Sequence, residues 1–412
     1  VIAASRDCFA SPNEALNQQF ISALLQNPQK SMRLGDALRI AKLQTGNRIN
    51  NEKYHLLGDP LLRLALPPHA TPFTSLTPDT FRALELMTTT GTVNQLSAGT
   101  MLNQGEVLIK AADSKKERMY ITEAGTRIRY LLPGNTLFRG TAEVVNSDFS
   151  QSFVIPKDLS YGGTSGSLRA YVYNDVTDGT GVLSGIPVSG TGDIIDNQGP
   201  EFNIAFSGLD NFMSGEMIST PSTLIATIRD DKSGINLTGE IGHNITLTVD
   251  DQTEYNLTDN FSYDKGSYLK GQLQYAIENL EEGAHELTLK AWDNANNSAT
   301  SSFLVEVVPR ESLVLTRVMN YPNPFGRSTD FTFFLNRDAD ITIKIFTVSG
   351  HLIKTIDSFA ASAGFNTIPW DGRDEMGDRC SNGVYLYKII GRSHSDSSTL
   401  TAEKIERLMI MK

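Results

Sequence analysis

A chain of 412 residues is too long for one hydrophobic core, so roughly three or four domains are expected. Hydrophobic residues make up 40%, enough for every domain to bury a core, and the formal charge of −11, with Lys and Arg dispersed, speaks against a nucleic-acid partner. Two cysteines nearly the whole chain apart, Cys8 and Cys380, exclude a disulfide framework or a thiolate zinc site, and no apolar run approaches the ~18 residues of a spanning helix.

Val1–Ile2–Ala3–Ala4–Ser5 reads as the end of a buried strand, so the chain is expected to begin inside a larger domain. Asn13 is placed to cap a helix whose apolar residues Leu16, Phe20, Ala23 and Leu24 recur at helical spacing. Leu34, Leu38 and Ala41 mark a second helix, with Asp36 in its first turn and Lys42 in its last, in agreement with the helix dipole. Tyr54–Leu57 and Leu61–Leu66 are short apolar runs around the bend Gly58–Asp59–Pro60. Residues 1–66 thus read as the tail of an α/β domain.

Pro67, Pro68, Pro72 and Pro78 predict a linker, after which the pattern turns to strands. Val107–Ala111, Phe153–Ile155 and Leu168–Tyr173 are short apolar runs among Gly, Asn, Asp and Thr. Asp196–Asn197–Gln198–Gly199–Pro200 is a turn that opens the next segment. There Ile245, Leu247 and Val249, and later Leu287, Leu289 and Ala291, alternate with period two as in half-buried antiparallel strands. Ile341, Ile343 and Ile345 repeat that pattern, and Val348–Ser349–Gly350–His351 predicts a hairpin into Leu352–Ile356. Val384–Ile390 and Ile405–Met411 are further strands. The expected fold class is mainly β: an α/β remnant over 1–66, a β-sandwich over 67–193, an Ig-like sandwich over 194–309 and an Ig-like domain over 310–412.

No complete active site emerges from these residues. A catalytic thiolate needs a base beside it. Cys8 shares its segment only with His55, which sits in an apolar run, and a buried structural Cys8 is the preferred reading. Cys380 lies in the polar turn Gly377–Asn382. The histidines (His55, His69, His243, His285, His351, His394) show no metal-binding spacing, and no GxSxG elbow occurs in a strand–helix context. Tyr161–Gly166 is Gly-rich but lacks the lysine of a phosphate loop. Asp59 before Pro60 reads as a turn residue bonding nearby amides. Asp230, Asp231 and Asp293 flank strands of one sandwich and could hold Ca²⁺ through loop oxygens, with solvated turns the preferred reading because the twelve-residue EF-hand pattern is absent.

Four stretches resemble the closing third of a gingipain-type, caspase-like C25 cysteine peptidase domain: Ala3–Arg6, Phe9–Asn17, Arg33–Leu38 and Tyr54–Leu64, the last with a Leu57–Gly58–Asp59–Pro60 turn between leucines. Phe138–Ala142, Phe153–Asp158, Asp196–Pro200, Ile241–His243 and Ala291–Asn294 resemble the two β-domains that follow the catalytic unit in the surface sortases of the type IX secretion system. Asn320–Phe325, Trp370–Asp374, Asn382–Lys388 and the terminal Lys412 resemble the sorting domain of type IX cargo.

The resemblance implies a cell-surface peptidase or transpeptidase, associated with the outer membrane of a Gram-negative bacterium. It would remove the sorting domain of type IX cargo and attach the cargo to anionic lipopolysaccharide. It also implies that the catalytic His and Cys stand upstream of the segment matched by Val1–Ala4, so no catalytic residue is expected in this chain. The implied partners are that upstream catalytic segment, a PorV-like outer-membrane β-barrel, cargo sorting domains and the lipopolysaccharide. Two alternatives stay open: the same part of a secreted gingipain-like protease, or a non-enzymatic adhesion array.

Overall fold

Strands dominate because most of the chain alternates polar and apolar residues with short polar turns between them. The computed structural model describes residues 2–5, 7–26, 32–46, 51–96, 100–123, 125, 127–161, 165–209, 212–240, 242–394 and 399–412. Val1, Arg6, residues 162–164 and Ile241, all invoked above, lie outside the described residues. The chain divides into two units, one of residues 1–195 with 263–268 and one of residues 196–262 with 269–412.

The first unit opens with the strand Ile2–Ala4, paired antiparallel with Tyr54–Leu56. Between them run helix α1, Ala10–Leu25, and helix α2, Leu34–Thr45. Helix α1 begins at Ala10 with Phe9 at its N-cap, so Asn13 lies within the helix and does not cap it. The reason is Pro12: in a first helical turn its missing N–H costs nothing and its fixed φ favours the helix, so the helix starts before it. Helix α2 carries Leu34, Leu38 and Ala41 with Asp36 in its first turn and Lys42 in its last, as expected, and ends on Gly46 in the left-handed conformation (φ 63°), a common C-terminal stop. Leu61–Leu66 forms no strand beyond a single bridge between Arg33 and Arg63.

The expected proline linker already contains strands. His69–Ala70 and Phe73–Thr77 join a nine-stranded sheet, in which Phe73–Thr77 is an edge strand where proline neighbours are tolerated. Its middle is built by Asp148–Val154, Thr136–Val145, Gln104–Ala112 and Gly166–Tyr173. These contain the runs Val107–Ala111 and Leu168–Tyr173 and, but for Ile155 just past the strand end, Phe153–Ile155. Inward residues Val107, Ile109, Ala142, Val144, Ala170 and Val172 form one core cluster. A separate two-stranded ribbon, Lys116–Ile121 with Arg127–Leu132, carries mostly exposed side chains.

The second unit holds a sheet of Glu201–Phe206, Ser222–Arg229 and Lys270–Ile277, edged by Phe261 and Ser262, and a five-stranded sheet (Glu216–Ile218, Ser298–Val307, Gly283–Trp292, Thr246–Val249, Thr253–Asn256). Ile245, Leu247, Leu287, Leu289 and Ala291 are fully buried, as their alternation predicts, whereas Val249 at the strand end is half-buried. Next come a three-stranded sheet (Leu315–Tyr321, Thr329–Leu335, Gly364–Trp370) and a four-stranded sheet (Leu352–Ala361, Ala339–Thr347, Gly383–His394, Thr399–Ile410). Ile341, Ile343 and Ile345 face a core that includes Phe331, Trp370 and Tyr387. The predicted hairpin forms at Gly350, whose φ of 88° suits the turn and whose N–H donates to the Thr347 carbonyl at 2.9 Å.

Candidate functional site

The α/β segment is organised around the start of helix α2. The first N–H groups of a helix lack partners within it. Here the N–H groups of Leu34 and Gly35 donate to the carbonyls of Leu62 and Pro60, both at 2.9 Å. The bend that supplies them is held by Asp59, whose Oδ1 accepts the Leu61 N–H at 2.8 Å, the turn role expected of it. The contact is tight, because a Cβ on Gly35 would lie 2.8 Å from the Pro60 Cβ. At the far end, Lys42 Nζ donates to the Tyr54 carbonyl at 2.6 Å and ties α2 to the strand pair. The sequence stretches Arg33–Leu38 and Leu57–Leu64 therefore form one joint.

Helices and strand pair leave an apolar groove of about 860 Å³, lined among others by Ile2, Ala4, Leu16, Phe20, Leu38 and Leu56. Beside it, Leu61 and Leu62 are 62% and 53% exposed, and Ile21, Leu25 and Leu64 are exposed too. So many large apolar side chains on one small segment mark a surface built to be covered.

Cys8 is half-buried and its thiol meets the Tyr54 hydroxyl; Tyr54 also bonds Asn13. Burial first, and Cys8 second, push the Tyr54 hydroxyl above its usual range. Neighbouring strand residues point to opposite faces, so Tyr54 toward Cys8 turns the exposed His55 the other way. The two residues a peptidase would need are thus not brought together. Cys380 is buried in the terminal core, where burial raises its thiol, and its carbonyl accepts Lys412 Nζ at 2.7 Å.

A different cluster forms in the second unit. One carboxylate oxygen each from Asp196, Asp230 and Asp231 lies within 4.8 Å of the other two. Asp230 Oδ1 is occupied by the N–H groups of Lys232, Ser233 and Gly234 and by the Ser233 hydroxyl. Asp293 is fully buried, and both its oxygens hold Asn297, through its backbone N–H at 2.6 Å and its Nδ2 at 2.7 Å. The same Nδ2 donates to the Asp196 carbonyl at 3.1 Å, so Asp293 positions the loop. Burial pushes Asp293 up to about 6, with the charges of Asp230 and Asp196 adding to the effect, and burial also raises Asp230. Of the three acidic residues for which solvated turns are the preferred reading over Ca²⁺ ligation, Asp230 and Asp231 converge, and Asp293 stands behind them. Asp196 was read only as part of a turn; its distance in sequence from Asp230 hides the meeting.

Residues 1–65 match Peptidase family C25, and residues 323–395 match the FlgD Ig-like domain. No curated protein matches the chain. Among solved structures, dimeric latent PorU from Porphyromonas gingivalis is similar at 26% identity, covering 95% of this chain and 38% of that one, with a TM-score of 0.39. The tetra-tandem repeat in the extending region of a large adhesion protein is similar at 14% identity, covering 84% and 76%, with a TM-score of 0.18. A Ca²⁺-stabilized adhesin of an Antarctic bacterium, described as helping it reach out and bind ice, is similar at 12% identity, covering 83% and 74%, with a TM-score of 0.17. The chain spans 38% of the length of the PorU chain. The α/β segment matches C25 peptidase sequence, and the architecture is mainly β with an Ig-like terminal domain, as expected from the sequence.

Proposed function

We propose that this chain, which joins C25 peptidase sequence at 1–65 to an FlgD-type Ig-like domain at 323–395, is the C-terminal part of a cell-surface cysteine peptidase or sortase of the type IX secretion system. That combination on one polypeptide carries the reading. On this reading the apolar groove along Ile2–Ala4 and α1 seats further polypeptide of the peptidase domain, which brings the nucleophilic thiolate and its base.

In the reaction, the thiolate attacks the scissile carbonyl in front of a cargo's sorting domain. The peptide C–N bond breaks, the sorting domain leaves with a new amino terminus, and a thioester remains. An amine of anionic lipopolysaccharide then attacks the thioester, forms an amide and expels the thiolate. This chain's residues contribute scaffold: the joint of Gly35 and Pro60 holds the start of α2. That domain directs export and docks on a PorV-like outer-membrane β-barrel.

The reading is tested by deleting residues 310–412 and labelling intact cells. The expected result is protein trapped in the periplasm; unchanged surface labelling refutes it. Retention of residues 310–412 on the mature surface protein separates a sortase from an ordinary secreted peptidase, whose sorting domain is removed.

A further inference from the structure

We propose that Asp196, Asp230 and Asp231 form a Ca²⁺ site that ties the opening of the second unit to the loop after the strand Ser222–Arg229. Three carboxylates with oxygens within 4.8 Å of one another repel unless something positive lies among them. Among the described residues none of them takes part in an ion pair with Lys, Arg or His.

The second observation concerns Asp196. The residue is 7% exposed; among the described residues its Oδ2, sealed from solvent, meets no hydrogen-bond donor, and its Oδ1 accepts only the Gln198 N–H at 3.2 Å. Buried carboxylate oxygens are almost always satisfied, so an oxygen left bare beside two other carboxylates points to a cation as its partner. Asp230 is preset for the same ion, because its Oδ1 is held by three backbone N–H groups and Oδ2 remains available. Asp293 and Asn297 lock the Asp196 backbone from behind.

The donor set selects the ion. It is all oxygen, without His or Cys, which suits a hard cation over zinc or copper. Asp231 is exposed, so water can complete the shell. Irregular loop geometry of this kind fits Ca²⁺ better than Mg²⁺, which demands a near-ideal octahedron and dehydrates reluctantly.

The test uses the whole chain, stripped with a chelator and titrated with CaCl₂ or MgCl₂, by calorimetry and thermal melting. Wild type is expected to bind one Ca²⁺ with a Kd of about 0.1–1 mM, as extracellular modules do, and its melting temperature to rise with Ca²⁺. Asp231→Asn, at an exposed position that the fold does not need, is expected to weaken binding about tenfold or more. Asp231→Lys, which places an ammonium in the cluster, is expected to abolish the Ca²⁺ response. No Ca²⁺ binding up to 10 mM, unchanged affinity in Asp231→Asn, or an equal response to Mg²⁺ overturns the proposal.

Discussion

The Cys8 thiol and the Tyr54 hydroxyl meet across the α/β segment, while His55, next in the strand, faces the other side. The thiol is brought to a phenol and not to the neighbouring imidazole, so the Cys8–His55 pair that thiolate attack needs is not formed. Cys8→Ala is therefore expected to leave peptide hydrolysis by the full protein within about twofold of wild type. Turnover of an Arg- or Lys-type peptide substrate that vanishes on this substitution would place the nucleophile at Cys8.

Gly35 is required by the close approach of Pro60. An added methyl meets the Pro60 Cβ at 2.8 Å and its carbonyl oxygen at 3.0 Å, both in the bend that caps α2. Gly35→Ala is expected to destabilise the α/β segment by about 1–3 kcal/mol, since overpacking against backbone has no easy relief. Limited proteolysis should then cut within residues 33–64 first; a cleavage pattern like wild type would contradict this.

His285 gives the second unit a pH dependence. Its ring nitrogens face Asp250 Oδ2 at 2.7 Å and the Glu281 carbonyl at 2.9 Å. Burial pushes the imidazole down, but the bonds to Asp250 and Glu281 outweigh it and the net shift is up. The His285 bond, in turn, holds Asp250 below its usual range. The stabilisation from a raised His is complete below the unfolded value near pH 6.5 and is lost as pH rises through the folded value. The stabilisation from a lowered Asp is present above about pH 3.9 and lost as pH falls through the folded value. The pair therefore supports the fold most between those limits. Asp250 is 41% exposed, so the effect is expected to be only about 0.2–1 kcal/mol. Melts from pH 6 to 8 should show a decline that His285→Gln flattens; an equal slope in both proteins would contradict it.

Tyr387 is fully buried against Phe331, with ring centroids 4.7 Å apart, and its hydroxyl has no hydrogen-bond partner among the described residues. Burial, with the Glu406 charge adding, pushes that hydroxyl well above its ordinary range. Tyr387→Phe removes an unsatisfied group and keeps the ring, so it is expected to stabilise the terminal domain by about 1 kcal/mol. A lower melting temperature would reveal a hydrogen bond or water at that site.

Local pattern carried much of the fold. Ile341, Ile343 and Ile345 spell out a half-buried strand, and Ser349–Gly350 spells out its turn, because both depend only on neighbours in sequence. Asn13 is a good capping residue by type, but Pro12 before it draws the helix start back to Ala10. The ribbon of Lys116–Ile121 and Arg127–Leu132 escaped notice because its faces mix charges with Met119, Tyr120, Ile128 and Leu131 and bury little. Asp196 was hidden for a topological reason. Its carboxylate meets Asp230 and Asp231 only after the sandwich folds, and no local periodicity encodes a meeting across that distance.

A sortase leaves its mark on cargo, so the C-terminal sequence and mass of type IX cargo proteins are compared between cells with and without this protein. Loss of the protein is expected to leave cargo with its terminal sorting domain intact and no lipopolysaccharide attached, and restoring it should return both modifications. Cargo that is trimmed and lipid-linked equally well in its absence would contradict the account.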